Sequence, residues 1–178
     1  MTKAKVPGGT IRYQGIFDFD GLYQAAVDWC KTHRYWFHEE TYKHKVPLPS
    51  GAEQEIWWRM DAKISEFFKF YINIKVHIWE MTEVEVIKEG KKRVLTSGRL
   101  QIDMNGVVEA DWQHRMEGTK FKKLMKTLLT DYIWKKEFTT VYGDMVYYRM
   151  WNLHALFKKY LDMQTAWDEY AGYLRENQ

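Results

Sequence analysis

One cysteine, three prolines and eleven glycines in 178 residues exclude several structural classes at once. Cys30 alone cannot close an internal disulfide, so a disulfide-stapled scaffold falls away and a reducing, cytoplasmic setting is the expectation. Glycine and proline this sparse also exclude collagen-like and linker-like chains. Neither sign of charge dominates. The 27 Lys and Arg against 24 Asp and Glu leave a net +3 and a pI near 8.8, too mild to require a nucleic-acid partner. No apolar run approaches the roughly eighteen residues of a membrane span. The longest candidate, Phe67 to Trp79, is interrupted by Lys69, Asn73, Lys75 and His77. No basic segment followed by an apolar core and a small-residue cleavage site opens the chain, so no secretory leader is expected.

Aromatic residues, by contrast, are plentiful: nine Trp, twelve Tyr and nine Phe make up 17% of the chain. Hydrophobic residues are 46% and charged residues 29%, an ordinary globular balance. The length suits one domain spanning residues 1–178, with no repeat or linker to divide it. Its sheet is expected mainly in residues 10–112 and its helices in 118–175.

Periodicity places the elements. Thr10 to Phe17 alternates Ile11 and Tyr13 against Arg12 and Gln14, a first strand. Asp18 or Asp20 can cap a helix whose apolar members Leu22, Ala25, Ala26 and Trp29 recur at three and four residues. Arg34 to Val46, rich in Trp, Tyr, Phe and Thr, predicts a strand ending before Pro47. From Glu55 the period is two: Ile56, Trp58, Met60 and Ala62 share one face, and Trp57, Arg59 and Asp61 share the other. Phe68, Phe70, Ile72, Ile74, Val76 and Ile78 alternate with Lys69, Tyr71, Asn73, Lys75, His77 and Trp79, the strongest strand signal present. A turn at Lys88 to Lys91 precedes a strand from Arg93 to Met104. Asn105-Gly106 then predicts a two-residue hairpin turn, with Val107 to Trp112 as the returning strand. That makes about six strands in an antiparallel meander.

At Gly118 the period becomes 3.6. Phe121, Leu124, Met125, Leu128, Leu129 and Tyr132 trace one stripe after a Thr119 cap. A last helix begins near Gly143 and carries Val146, Met150, Leu153, Phe157 and Leu161 on one side, with Trp167, Tyr170 and Leu174 continuing the pattern.

A strand, a helix, a run of long antiparallel strands and closing helices together resemble the helix-grip fold of the START and Bet v 1-like superfamily. The resemblance lies in the order of elements over roughly residues 10–161 and in no signature motif. It implies an α+β fold in which a curved antiparallel sheet packs against C-terminal helices. It also implies a cavity between them that takes lipids, sterols or other apolar ligands.

The aromatic surplus has two readings on such a scaffold. Trp58, Met60, Phe70, Ile72, Leu100, Ile102, Met150, Leu153 and Phe157 either line a cavity for an apolar or amphipathic small molecule or fill a solid core. Tyr148 and His154 are candidate polar anchors at its mouth. On the opposite face, Trp57, Tyr71 and Trp79 alternate with Arg59, Lys69 and Lys75. This row suits a homodimer or protein interface, packing beneath the C-terminal tail or, less readily, stacking of single-stranded nucleic acid. The segment 118–136 holds six lysines against Asp131, so it either meets an anionic membrane surface or acidic partner, or covers the sheet with its lysines solvated.

Catalytic and metal signatures are thin. No GxSxG elbow, Walker loop, GxGxxG or HExxH occurs. His38, Glu40 and His44 share strand parity, but His38 and His44 stand roughly 20 Å apart along an extended strand. Cys30 sits on a helix face beside Ala26, as a buried hydrophobe would. Glu39, Glu40, Glu55, Asp61, Asp103 and Asp111 are scattered on polar faces. No cofactor or metal is called for, and the balance favours binding over catalysis.

Overall fold

A computed structural model describes residues 2–48, 51–88, 91–114, 118, 119, 122, 124, 125, 128 and 137–163. The element order is β1 (Thr2–Phe17), α1 (Phe19–Thr32), β2 (Trp36–Leu48), β3 (Gly51–Lys63), β4 (Phe68–Lys88), β5 (Lys91–Ala110), a π-helical segment (Glu137–Tyr142) and α2 (Gly143–Tyr160). One five-stranded antiparallel sheet has the order β1-β5-β4-β3-β2, so the first strand closes beside the last. This is an α+β architecture, and its topology is consistent with a helix-grip arrangement.

Side-chain alternation decides which face is dry. Phe70, Ile72, Ile74, Val76 and Ile78 of β4, Ile56, Trp58, Met60 and Ala62 of β3, and Leu100, Ile102 and Met104 of β5 are all buried. These residues form one continuous cluster with the helix stripes. α2 contributes Val146, Met150, Leu153 and Phe157 at the expected spacing, packing on β1, β5 and β4. Full burial of each such side chain stabilises the fold by about 1.5–3 kcal/mol.

α1 begins where Asp18 accepts a 2.8 Å hydrogen bond from the Gly21 N–H, the cap expected from the sequence. Its Leu22, Ala25, Ala26, Trp29 and Cys30 are buried. Trp29 Nε1 donates to Asn152 Oδ1 at 2.7 Å, which ties α1 to α2.

One turn reading is corrected. Asn105-Gly106 makes no hairpin: β5 runs unbroken from Lys91 to Ala110, giving five strands rather than about six. Gly106 pairs with Val6 on one side and Ile72 on the other, and a Cβ there would stand 2.6 Å from Val146 Cγ1. Its missing side chain is what lets α2 approach the sheet. Gly106→Val should therefore lower unfolding free energy by about 1–3 kcal/mol through overpacking, measurable by urea denaturation.

Residues before Thr10 are also strand, since a register shift between Val6 and Gly9 accommodates Pro7 and Gly8 within β1.

Most of the lysine-rich helix expected over 118–136 lies outside the described residues, as does the tail with Trp167, Tyr170 and Leu174. Within it, Lys122 donates its backbone N–H to Thr119 Oγ1, the cap expected, and Leu124, Met125 and Leu128 are exposed. No helix among the described residues is long and apolar enough to cross a membrane.

Candidate functional site

On the inner face, Trp58, Met60, Phe70, Ile72, Leu100, Ile102, Met150, Leu153 and Phe157 come together in the buried cluster. Trp58 is its aromatic hub. Its ring centroid lies 5.4 Å from Tyr23, 5.7 Å from Phe37, 6.4 Å from Phe19 and 6.5 Å from Phe157, within the range of favourable ring pairing. Two polar atoms on this face of β3, Trp58 Nε1 and Gln54 Oε1, are buried with no hydrogen-bond partner among the described residues.

The two proposed anchors part company. Tyr148 is exposed, whereas His154 is buried. Tyr148 lines a hollow of about 320 Å³ between β1 and the first turns of α2, with Lys5, Val6, Pro7, Asp144 and Tyr147. From this hollow an aromatic series runs along α2: Tyr148 to Tyr147 at 5.7 Å, Tyr147 to Trp151 at 5.8 Å and Trp151 to His154 at 4.6 Å. Gly9 admits it, because a Cβ there would lie 3.2 Å from Trp151 Cη2. Burial, with Lys158 nearby, pushes the His154 imidazolium pKa down to about 4.

Sequence reasoning missed Lys5, Val6, Pro7, Asp144 and Tyr147. The available signal was Pro7-Gly8-Gly9, which marks a bulge inside a strand as well as the end of a loop.

The outer face carries Trp57, Arg59, Lys69, Tyr71, Lys75 and Trp79 as expected, but its cations are already engaged. Lys69 Nζ meets Asp61 Oδ2 at 2.8 Å, Lys75 Nζ meets Glu55 Oε1 at 2.6 Å, and Arg59 pairs with Glu40. Tyr71 donates to Glu109 at 2.6 Å, and Lys3 joins the same carboxylate at 3.4 Å. Burial, then Glu109, push the Tyr71 hydroxyl pKa well above its usual range. The Lys75 ammonium holds the Glu55 carboxyl below its usual value. Lys75 also lies 5.3 Å from the Trp57 ring centre, and Lys69 lies 4.9 Å from that of Tyr71. Trp57 stays 41% exposed, and Trp36 of β2, not singled out from the sequence, is 69% exposed.

Among the carboxylates considered for catalysis, Glu40, Glu55 and Asp61 serve these ion pairs, and Asp103 accepts from Thr10 and Gln101. His38 bonds Asp61 at 2.8 Å, and a register shift between Glu39 and Thr41 breaks the parity that aligned it with His44. No group of three or more metal-ligating side chains occurs among the described residues. Cys30 is buried, and desolvation pushes its thiol pKa up to about 12, far from a thiolate nucleophile. No protein-family model matches the chain, and no curated protein matches it at a significant level.

Proposed function

We propose that the chain is a non-catalytic, helix-grip-like binding protein for an apolar or amphipathic small molecule, held in the hollow between the sheet's first strand and α2. The hollow carries this reading. Its 320 Å³ falls at the small end of the range for ligand sites, and its walls combine apolar Val6 and Pro7 with tyrosine rings. Lys5 and Asp144 supply one charge of each sign to hold an amphipathic ligand's polar end.

Mass spectrometry of freshly purified protein, first native and then denaturing, tests this directly. A discrete extra mass that leaves on denaturation is expected. Tyr148→Ala should lower its occupancy at least about threefold while leaving thermal stability nearly unchanged, since Tyr148 is exposed. A bare monomer from cells and from incubation with a lipid extract would overturn the proposal.

A second reading has its own observation. Trp36 and Trp57 are exposed on the outer face of neighbouring strands, which suits a protein partner or a second copy of this chain. A bare mass at a multiple of 21.6 kDa would favour it. The carboxylates already paired with Lys69, Lys75 and Arg59 weigh against single-stranded nucleic acid, whose phosphates would have to displace them.

A further inference from the structure

The outer face has a second hollow of about 320 Å³, across the sheet from the one above, lined by Arg12, Gln14, Trp79, Arg99 and Gln101 together with Tyr13 and Leu100. Strand register brings these residues together, since Arg12 pairs with Gln101 and Gln14 with Arg99 across β1 and β5, while Trp79 faces Arg99 from β4.

Backbone irregularities converge at this level. β4 shifts register between Trp79 and Thr82, and β3 shifts between Ala52 and Gln54. Glu80 takes a left-handed φ of 55°. Gly98 of β5 is paired with Gly15 of β1, and a Cβ on Gly98 would come within 2.7 Å of the Trp79 carbonyl oxygen. Bulges of this kind re-aim side chains, and here the bulged Glu80 meets Arg99.

The resulting arrangement is donor-rich. Glu80 accepts from Arg99 Nε at 3.2 Å and Nη2 at 3.0 Å, leaving the Nη1 N–H groups unused among the described residues. The Arg99 guanidinium carbon lies 5.8 Å from the Trp79 ring centre. Trp79 in turn stacks on His77 at 3.8 Å, and His77 is held by Glu53 at 2.7 Å. Asp103, the nearest remaining carboxylate in the register, has both oxygens engaged, one by Thr10 and one by Gln101. Among the described residues, Arg12 is the cation of this set with no ion pair, while the Asp103 carboxylate is held by neutral donors only.

We infer that this hollow binds the carboxylate of a small organic acid, with Arg12 as its ion-pair partner, Arg99 Nη1 and the Gln14 amide as further donors, and the edge of Trp79 against the acid's apolar body. Arg12 offers a single cation with no ion pair, and the nearby Asp103 carboxylate, held only by neutral donors, repels a doubly charged ligand more than a singly charged one, so a carboxylate fits better than a phosphate dianion. The site lies on the opposite face of the sheet from the proposed ligand hollow, so either can fail without the other.

Benzoate, its neutral isostere benzamide, and phenyl phosphate, titrated at low salt into the full chain and followed by amide and indole NMR shifts, test it. Saturable shifts at Arg12, Trp79 and Arg99 with benzoate, and not with benzamide, are expected. Arg12→Gln should weaken benzoate at least about tenfold without moving the thermal midpoint, since Arg12 is exposed. Glu80→Gln, which frees the Arg99 charge, should strengthen it about threefold. Equal response to benzoate and benzamide, an unchanged affinity in Arg12→Gln, or tighter binding of phenyl phosphate than of benzoate would each overturn the assignment.

Discussion

Truncating Phe157 to alanine is expected to lower the unfolding free energy by about 3–5 kcal/mol, the cost of removing a fully packed phenyl ring. Phe157 is fully buried on α2, and its ring stands 6.5 Å from Trp58, whose indole also packs on Phe19, Tyr23 and Phe37. The void would open where α1, α2, β2 and β3 meet around Trp58, and such a junction has little freedom to collapse. A protein of this length should lose about 2–4 °C of thermal midpoint per kcal/mol. The same experiment separates core from cavity. A loss below about 1 kcal/mol, with reduced retention of a bound molecule, would mean that Phe157 lines space; a full loss means that it fills the core.

Acid should weaken the fold through His154. Its folded pKa is lowered from 6.5 to about 4 because burial, together with the Lys158 ammonium, disfavours the imidazolium. Between these two values the unfolded chain takes up a proton that the folded chain refuses. Stability therefore falls as pH drops through 6.5, the fall levels off near pH 4, and the penalty is absent above 6.5. At about 1.4 kcal/mol per unit, the largest loss is about 3 kcal/mol. His154→Gln should flatten this segment of the profile. The check is the difference between wild type and variant in unfolding free energy at pH 7 and at pH 4.5. Equal slopes would place the imidazole in contact with water.

Much of the fold was legible because burial in a one-sided sheet imposes a period of two. The alternation over Phe68 to Ile78 and over Ile56 to Ala62 identified both strands and both faces, and the i, i+3, i+4 stripe from Val146 to Phe157 identified α2 and its buried side. Asp18 was legible as a cap because a short acceptor before an amphipathic run satisfies otherwise orphaned N–H groups.

Glycine and proline were harder to interpret, because they mark several structures with one composition. Asn105-Gly106 has the chemistry of a tight hairpin, but Gly106 was needed where Val146 and Val6 press on a strand interior. Pro7-Gly8 looks like the end of a loop and is a bulge in an edge strand.

The candidate sites divide the same way. Sequence placed Trp57, Arg59, Lys69, Tyr71, Lys75 and Trp79 on one outward face. It could not show that Asp61, Glu55, Glu40 and Glu109 neutralise that face from adjacent strands, because cross-strand partners are set by register and not by local spacing.

What the sequence determined by itself was the α+β class, the strand parity, the inner residues from Trp58 to Phe157 and the inert burial of Cys30. Those follow from periodicity and side-chain chemistry, which act within one element. Tertiary structure alone decided the β1-β5-β4-β3-β2 order, the hollows at Tyr148 and Arg12, and the ion pairs of the outer face. Each joins residues tens of positions apart, and only the register between paired strands and the docking of α2 on β1 set the distances between them.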